Sequence, residues 1–378
     1  MKGGPASQGA ASSHPTSPFL DRAAAVGQNA YSLRKGRLPT STCEGAGVLT
    51  FAGDLQRRFS ALKDPFLYGA EACERYAETI ARIRSLKEER RAVILAHNYQ
   101  RPEIFEVADF IGDSLELAQQ AARTEADVIV FCGVAFMAET AKILNPSRKV
   151  ILPDINAGCT LADGVTAEAL RDRRVELSAA YPDLTVITYV NTTAVVKAVS
   201  DVCCTSANAV KIVEAVPGRN ILFVPDRNLA HYVQLHTSKN IIAWDGTCYV
   251  HHQITPDQVR RIRESVPGIK ILAHPECRED VLSTADAVLS TSGMVRYARQ
   301  SDATKFLIVT ECGLSDRLLL EVPDKQFYKS CKLCAFMKMI TLEGTLAALE
   351  TMTHEITLDE EVRCGAERAL RRMFELGA

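Results

Sequence analysis

The stretch AVILAHNYQ, residues 92–100, is an apolar run that ends abruptly in polar residues, and the chain repeats this arrangement twice more. The other two copies are LTVITYVNTT (184–193) and IKILAHPEC (269–277). Each run is rich in Val, Ile and Leu, which favours a strand buried on both faces, as in a parallel sheet. Internal repetition at this scale predicts a molecule built from three copies of one structural unit.

Each copy is followed, at a constant distance, by a turn with a hydroxyl-bearing residue and then by a helical pattern. The interval is 17 residues in all three copies, from His97 to Ser114, from Tyr189 to Ser206 and from His274 to Thr291. Eighteen residues further on, each copy enters another apolar run, at Cys132, Val224 and Val309. Strands that alternate with helices in this way predict an α/β fold with three similar units.

The polar ends of the three runs are candidate ligand-binding positions, because ligands of parallel sheets bind beyond the carboxyl ends of the strands. The side chains expected there are His97, Asn98, Tyr99, Tyr189, Asn191, His274 and Glu276. The hydroxyl residues Ser114, Ser206 and Thr291 would open helices, where free backbone N–H groups favour an anion. Simple N-capping is the alternative for each of them. If the three units converge, these positions would line one central site.

Composition argues against several classes of function. The chain has 378 residues and a formal net charge of −2, which gives no electrostatic reason to expect nucleic acid or an anionic membrane as a partner. No apolar run approaches the roughly 18 residues of a membrane span. Twelve cysteines in a chain without secretory features favour a reducing, cytoplasmic location with some cysteines on a metal. Organellar targeting by the N-terminal segment is the less favoured alternative.

The predicted organisation has five segments. Residues 1–65 begin with a stretch rich in Gly, Ser and Pro and are expected to form a disordered or irregular extension. Three α/β domains are expected at 66–172, 173–257 and 258–350. The remaining residues, 351–378, are expected to form a C-terminal helix.

Several cysteines are candidates for a metal or redox site. Cys132, Cys248 and Cys334 occupy comparable places in the three copies, so three units could together hold an iron–sulfur cluster and leave one iron open. Spacing does not single out this set, because Cys159 lies at a distance from the first polar tip that rivals that of Cys132. Cys331 and Cys334 form a CxxC pair, for which a zinc half-site and a redox dithiol are alternatives. The residues alone predict a metal or redox cysteine site in a repeated α/β enzyme.

Nine motifs, in order, resemble those of the quinolinate synthase family, the A protein of de novo NAD biosynthesis. They extend from about residue 70 to about residue 350: AHNYQ, GDSLELA, FCGVAFMAETAKIL, TYVNTTAVVKA, TSANA, WDGTCYVH, AHPEC, STSGM and CAFMKMITL. The resemblance implies three similar α/β/α sandwich domains in a pseudo-threefold arrangement around a central iron–sulfur site. It also implies one 4Fe–4S cluster per chain with an open iron, held by Cys132, Cys248 and Cys334. Cys331 would then be no ligand, and a disulfide between Cys331 and Cys334 remains an alternative.

The activity implied by the resemblance is a transferase reaction that forms the pyridine ring. Iminosuccinate (iminoaspartate), supplied by an L-aspartate oxidase or dehydrogenase, condenses with dihydroxyacetone phosphate to quinolinate, with loss of phosphate and two waters. The open iron would act as a Lewis acid in the loss of water. A monomer or a weak homodimer is expected.

Roles for individual residues can be assigned within this interpretation. Glu276 would be the base, Tyr99 the acid or a gating residue, and His274 would take part in catalysis. The substrate-binding residues would be His97, Ser114, Tyr189, Val190, Asn191, Ser206, His274, Pro275, Glu276 and Thr291. His251 would contact the substrate or only orient the groups around it. The alternatives are another iron–sulfur hydro-lyase with an open iron and an iron–sulfur sensor or scaffold protein.

Overall fold

The computed structural model describes residues 44–377, which fold around three four-stranded parallel sheets. In each sheet the first strand of the unit lies between the second and the third, and the fourth strand lies beyond the third. The α/β fold class and the three similar units predicted from the sequence are therefore confirmed.

The first unit contains the longest of the described helices before its sheet and two helices after it. Its elements are α1 (Glu44–Phe59), α2 (Pro65–Tyr68), α3 (Ala70–Arg90), β1 (Ala92–His97), α4 (Pro102–Phe105), β2 (Phe110–Gly112), α5 (Ser114–Arg123), β3 (Val128–Cys132), α6 (Ala135–Leu144), β4 (Lys149–Ile151), α7 (Thr160–Asp163) and α8 (Ala167–Ser178).

The second unit repeats the alternation of strands and helices. Its elements are β5 (Thr185–Tyr189), α9 (Ala194–Ala198), β6 (Val202–Cys204), α10 (Ala209–Ala215), β7 (Asn220–Val224), α11 (Arg227–Gln234), β8 (Asn240–Ala243), α12 (Tyr249–His252) and α13 (Pro256–Ser265).

The third unit and the C-terminal helices complete the chain. Their elements are β9 (Lys270–Ala273), α14 (Glu279–Leu282), β10 (Ala287–Val288), α15 (Thr291–Gln300), β11 (Lys305–Val309), α16 (Cys312–Glu321), β12 (Gln326–Lys329), α17 (Leu342–Thr351) and α18 (Glu360–Gly377). Two 3₁₀ turns lie at Ser60–Leu62 and Met337–Met339.

The three sheets share one register as well as one strand order. The residue two positions before each polar tip pairs with both neighbouring strands: Leu95 with Phe110 and Phe131, Ile187 with Val202 and Phe223, and Leu272 with Ala287 and Ile308. The central strands are buried because helices cover both faces, and β3 is buried along its whole length. The 17-residue repeat in the sequence therefore corresponds to a repeat in three dimensions.

An aspartate before the second strand of each sheet fixes that strand to the first. Its carboxylate accepts a hydrogen bond from a backbone N–H fifteen residues earlier: Asp109 from Ile94 at 2.7 Å, Asp201 from Val186 at 2.8 Å and Asp286 from Ile271 at 2.8 Å. The backbone N–H of each aspartate donates back to the carbonyl of the same partner residue. A basic side chain pairs with each aspartate: Lys87, Arg174 and Arg263.

The expected irregular extension over residues 1–65 is wrong for its last part. Helix α1 occupies residues 44–59 and packs against α3, with Leu55 and Phe59 fully buried. The ring of Phe59 lies 4.9 Å from that of Tyr68. These apolar side chains give the helix a buried face, which explains why it forms. Residues 1–43 lie outside the described part of the chain.

The C-terminal helix predicted within 351–378 begins at Glu360 as α18. It packs against α9 and β6 of the second unit, and a Cβ at Gly365 would lie 2.9 Å from the Cβ of Ala198. Each sheet lies within one of the three predicted segments, although the domain boundaries themselves remain predictions. Among residues 44–377, none of the helices has the length and apolar character needed to cross a membrane.

Candidate functional site

The carboxyl ends of all three sheets open onto one cavity, which residues of all three units line. Twelve of the predicted site residues line it: His97, Tyr99, Ser114, Tyr189, Asn191, Ser206, Cys248, His251, His274, Glu276, Thr291 and Cys334. Val190 instead lines a smaller cavity that shares Ser114 and Phe136 with the first. Pro275 is buried and lines neither cavity. The structure thus brings most of the predicted residues together, while their roles remain predictions.

Glu276 lies at the centre of a buried hydrogen-bonded group. Its carboxylate is 2.8 Å from Nδ1 of His251 and 3.3 Å from Nδ1 of His274, and Asn191 donates to its other oxygen at 3.4 Å. The two imidazole rings stack with their centroids 4.7 Å apart. Burial acts to raise the pKa of Glu276, but the adjacent imidazoles outweigh burial and hold this pKa below its usual value. Glu276 is therefore ionised at neutral pH.

Tyr99 is a protonated phenol that contacts His251 at the ring nitrogen opposite the one that faces Glu276. Its hydroxyl lies 2.5 Å from Oγ1 of Thr310 and 3.3 Å from Nε2 of His251. Burial, reinforced by the charge of Glu276, raises the pKa of Tyr99 well above its usual value. A hydrogen-bonded chain therefore runs from Tyr99 through His251 to Glu276, with a neutral phenol at one end and a carboxylate at the other.

His97 is a neutral hydrogen-bond donor. Burial, and next the neighbouring His274, lower the pKa of His97 to about 3. Its Nδ1 atom accepts a hydrogen bond from the backbone N–H of Tyr99 at 3.2 Å. Because a neutral imidazole carries one proton, that proton resides on Nε2.

The predicted helix starts agree with the structure at two of three positions. Ser114 and Thr291 are the first residues of α5 and α15, but Ser206 precedes α10 by three residues. The capping side chains are those of Asp113 and Ser290, each one residue earlier. The hydroxyls of Ser114 and Thr291 are therefore not required as N-caps.

The starts of α5 and α15 are joined to each other. The Ser290 hydroxyl donates to the Asp113 carboxylate at 3.0 Å, and the Asp113 backbone N–H donates to the Ser292 hydroxyl at 3.0 Å. Asn98 adds a bond to the Thr291 hydroxyl at 2.7 Å. These contacts fix the first unit against the third beside the cavity.

Cys159, Cys248 and Cys334 line the cavity, one from each unit, whereas the predicted ligand Cys132 does not. The Cys132 thiol lies 3.7 Å from Oγ1 of Thr345 in α17, within the outer helix layer. The reason is the alternation of side chains along a strand: Phe131 faces the smaller cavity, so Cys132 faces the other way. The structure therefore does not support Cys132 as a ligand.

The CxxC pair does not act as a pair in the structure. Cys331 forms a disulfide with Cys312, the first residue of α16, and Cys334 is free. The suggested disulfide between Cys331 and Cys334 is therefore wrong. A zinc half-site or dithiol made of these two residues is excluded in this state for the same reason.

The three cavity cysteines suit a sulfur-ligated metal group. Burial raises the pKa of each thiol, to about 12 for Cys159, so the thiols are neutral when nothing is bound. A soft metal can replace those protons, and three cysteine thiolates lining one cavity are the donor set of an iron–sulfur cluster with one open position. Ligand atoms of Cys248, His251 and Glu276 also lie within 4.8 Å of one another, so a single cation could bind there.

Comparison with known proteins identifies the family. A sequence profile described as "Quinolinate synthetase A protein" matches residues 81–375. The chain belongs to this family. It is 51% identical over 301 residues to "Quinolinate synthase" of Thermodesulfovibrio yellowstonii, covering 79% of this chain and 98% of the relative. It is 50% identical over 300 residues to "Quinolinate synthase 1" of Methanosarcina acetivorans (79% and 97%) and over 303 residues to "Quinolinate synthase" of Geobacter metallireducens (79% and 98%).

The sequence interpretation missed several cavity residues of this family member. The spacing of the repeat allowed Cys159 as well as Cys132. Choosing Cys159 would have required knowing which way the side chain at the end of β3 faces. Glu311 follows β11, so its position two residues after a buried strand was the available signal. Val134, Phe136, Met137 and Met337 supply apolar walls and gave no signal of their own.

Proposed function

We propose that this chain is a quinolinate synthase, which condenses iminosuccinate (iminoaspartate) with dihydroxyacetone phosphate to quinolinate and releases phosphate and two waters. The observation that carries the proposal is one cavity that combines three cysteines, an ionised carboxylate and neutral His and Tyr side chains. The family match over residues 81–375 supports the same activity. An L-aspartate oxidase or dehydrogenase would supply the first substrate.

Cys159, Cys248 and Cys334 would hold a 4Fe–4S cluster, because these three thiols from three units face the cavity. Cys159 thus replaces Cys132 in the ligand set expected from the sequence. When bound, such a cluster supplies one open iron as a Lewis acid for hydroxyl or carbonyl oxygens. The apolar walls formed by Phe136, Met137 and Met337 would keep bulk water away from this centre.

Neutral donors around the cavity would bind the anionic substrates. His97 offers its Nε2–H, and Ser114 and Thr291 offer hydroxyls at the starts of α5 and α15, where the helix dipole favours negative charge. Ser206 and Tyr189 add two further hydroxyls. Neutral donors suit both a dicarboxylate and a phosphate ester.

Asn191 has a buried acceptor that fits the nitrogen of iminosuccinate. Its Nδ2 donates to Glu276, and its Oδ1 has no hydrogen-bond partner among the described residues. A buried unsatisfied amide oxygen costs about 1–3 kcal/mol, which a substrate N–H would recover on binding. This contact would orient the imine relative to Glu276.

Proton transfer would use the chain of Glu276, His251 and Tyr99. The ionised Glu276 takes a proton from a substrate carbon or nitrogen, and the protonated phenol of Tyr99 gives one to a departing oxygen. His251 lies 2.8 Å from the first and 3.3 Å from the second, so it can return the proton to Tyr99. His274 contacts the same carboxylate oxygen of Glu276 as His251 does and helps to hold Glu276 in place.

The test measures quinolinate formation by the anaerobically purified protein, with iminosuccinate generated in the assay. Wild type is expected to require both substrates, and Glu276→Gln is expected to lower kcat by about 10²- to 10⁴-fold, as is usual for loss of a general base. Glu279→Gln is the matched control, because Glu279 is exposed on α14. Turnover of one hydroxy acid without triose phosphate would instead identify a hydro-lyase, and wild-type activity in Glu276→Gln would remove Glu276 from the mechanism.

A further inference from the structure

The residue that follows the third strand by two positions differs among the three units. These equivalent residues are Val134, Asp226 and Glu311, each two positions beyond the repeat residues Cys132, Val224 and Val309. Asp226 and Glu311 are completely buried carboxylates. Burial of an acid is costly unless its oxygens are well hydrogen-bonded, so the partners of these two residues indicate their purpose.

Asp226 connects a helix start to a cavity cysteine. Its Oδ1 accepts the backbone N–H of Leu229 at 2.7 Å, which caps α11, and its Oδ2 accepts the backbone N–H of Cys248 at 3.1 Å. Asp226 also forms a parallel bridge with Gly246, two residues before that cysteine. One carboxylate thus fixes the segment that carries Cys248.

Glu311 repeats this arrangement in the third unit. Its Oε2 accepts the backbone N–H of Gly313 at 2.6 Å at the start of α16, and its Oε1 accepts the backbone N–H of Cys334 at 3.1 Å. Glu311 forms a parallel bridge with Lys332, again two residues before the cysteine. The two acids therefore make the same pair of contacts with different side-chain lengths.

We propose that Asp226 and Glu311 are positioning residues that hold Cys248 and Cys334 at the cavity by their backbone N–H groups. The ligand role of these cysteines rests on the proposed function, whereas their positioning does not. A carboxylate suits the task because its two oxygens serve two N–H groups at once, which a single amide oxygen does less well.

The first unit holds its cysteine differently. The side chain of Val134 has no acceptor atom. The start of α6 is instead joined to the segment before Cys159 by a backbone hydrogen bond from the Ala135 N–H to the Ala157 carbonyl at 2.8 Å. Cys159 is therefore expected to be independent of both acids, which makes it an internal reference in the experiment.

In the third unit the contact extends to Tyr99. Lys338 Nζ lies 3.2 Å from Oε1 of Glu311 and donates to the carbonyl oxygen of Tyr99. Arg101, two residues after Tyr99, donates to the Lys338 carbonyl at 3.0 Å. Glu311 thereby sets the position of Cys334 relative to the tyrosine of the first unit, in addition to its place in its own unit.

The experiment measures the alkylation rate of each cavity cysteine in the cluster-free protein, by mass spectrometry after timed exposure to iodoacetamide. Asp226→Asn is expected to accelerate alkylation of Cys248 by about tenfold, the size of one hydrogen bond to a charged group, and to leave Cys334 and Cys159 unchanged. Glu311→Gln is expected to accelerate Cys334 alone. Each variant is thus the control for the other, and a merely structural role would not move one thiol selectively.

Asp226→Ala and Glu311→Ala form a second pair of variants. They are needed because the amide of Asn or Gln can keep one of the two backbone hydrogen bonds that each acid accepts, whereas alanine keeps neither. Equal acceleration of all three cysteines, or none in either pair, would overturn the positioning role. Iron and acid-labile sulfide are measured separately after anaerobic reconstitution, with lower content expected in the variants. A wild type that binds no iron would refute the cluster of the proposed function, while the alkylation rates would still decide the positioning of the thiols.

Discussion

Replacing Cys132 and Cys159 in turn discriminates between the ligand set expected from the sequence and the one that the cavity supports. The two residues belong to the same unit. Cys132 is completely buried and Cys159 is partly buried, but only Cys159 lines the cavity. Cys132 lies behind β3 against Thr345. We therefore expect Cys132→Ala to retain the cluster and Cys159→Ala to lose it.

The stability cost of Cys132→Ala follows from its burial. Cys132 is completely buried, so deletion of its sulfur atom removes apolar contacts worth about 1–2 kcal/mol. A folded domain has about 5–15 kcal/mol of stability, so the variant should fold. Cys203→Ala is the matched control, because Cys203 is equally buried in β6 and lies outside the cavity.

The assay is iron and acid-labile sulfide per chain after anaerobic purification, together with the Tm of each variant. Wild type, Cys132→Ala and Cys203→Ala should each hold about four iron atoms and about four sulfide ions per chain. Cys159→Ala should hold almost no iron or sulfide. The absorbance of the cluster should follow the same order. Full occupancy in Cys159→Ala with loss in Cys132→Ala would refute the reasoning from the cavity and restore the original ligand set.

Three further predictions concern other parts of the structure. The pKa of His97 is about 3 in the folded protein, against 6.5 for the free side chain. Below pH 6.5, therefore, the unfolded chain binds a proton at this residue that the folded protein does not bind. The free energy of unfolding should fall by up to about 1.4 kcal/mol per pH unit as the pH drops below 6.5. Urea titrations of the cluster-free protein should show this slope, and His97→Gln should flatten it; equal slopes would contradict a buried neutral His97. Asp286→Ala removes the acceptor of the buried Ile271 N–H and should lower the free energy of unfolding by about 2 kcal/mol in the same titration. Gly313→Ala would place a Cβ 2.5 Å from the carbonyl oxygen of Tyr99 and so displace Tyr99. We expect kcat to fall, although Gly313 itself touches no substrate. An unchanged kcat would show that the structure can accommodate this Cβ without moving Tyr99.

The sequence predicted the fold and most of the cavity because both depend on regular geometry. A strand, a connection and a helix start have nearly fixed lengths, so a constant interval of 17 residues placed His97, Tyr189 and His274 at equivalent strand ends. The rule that parallel sheets bind ligands at the carboxyl ends of their strands then brought Asn191 and Glu276 to the same cavity.

The errors lie where the outcome depends on which way a chain turns after its last regular residue. Cys132 is the last residue of β3, and because that strand is buried along its whole length, its sequence does not indicate which face of the sheet lines the cavity. Cys331 pairs with Cys312, 19 residues earlier, because α16 and β12 are adjacent in space, which the CxxC spacing does not indicate. The helix α1 was missed because it forms by packing against α3, in a region whose composition otherwise favours an irregular segment.

The departure of the first unit from the other two has an electrostatic rationale. Asp113, Asp226, Glu276 and Glu311 already place four buried carboxyl groups at or beside the cavity, and burial raises the pKa of all but Glu276. The positive charge of Lys338 is paired with Glu311, and the imidazoles of His251 and His274 are hydrogen-bonded to Glu276. A further acid at position 134 would add a buried negative charge beside the thiolates of the proposed cluster, in a medium where like charges repel strongly. If the cavity binds two anionic substrates as proposed, valine at position 134 avoids one more negative charge beside them.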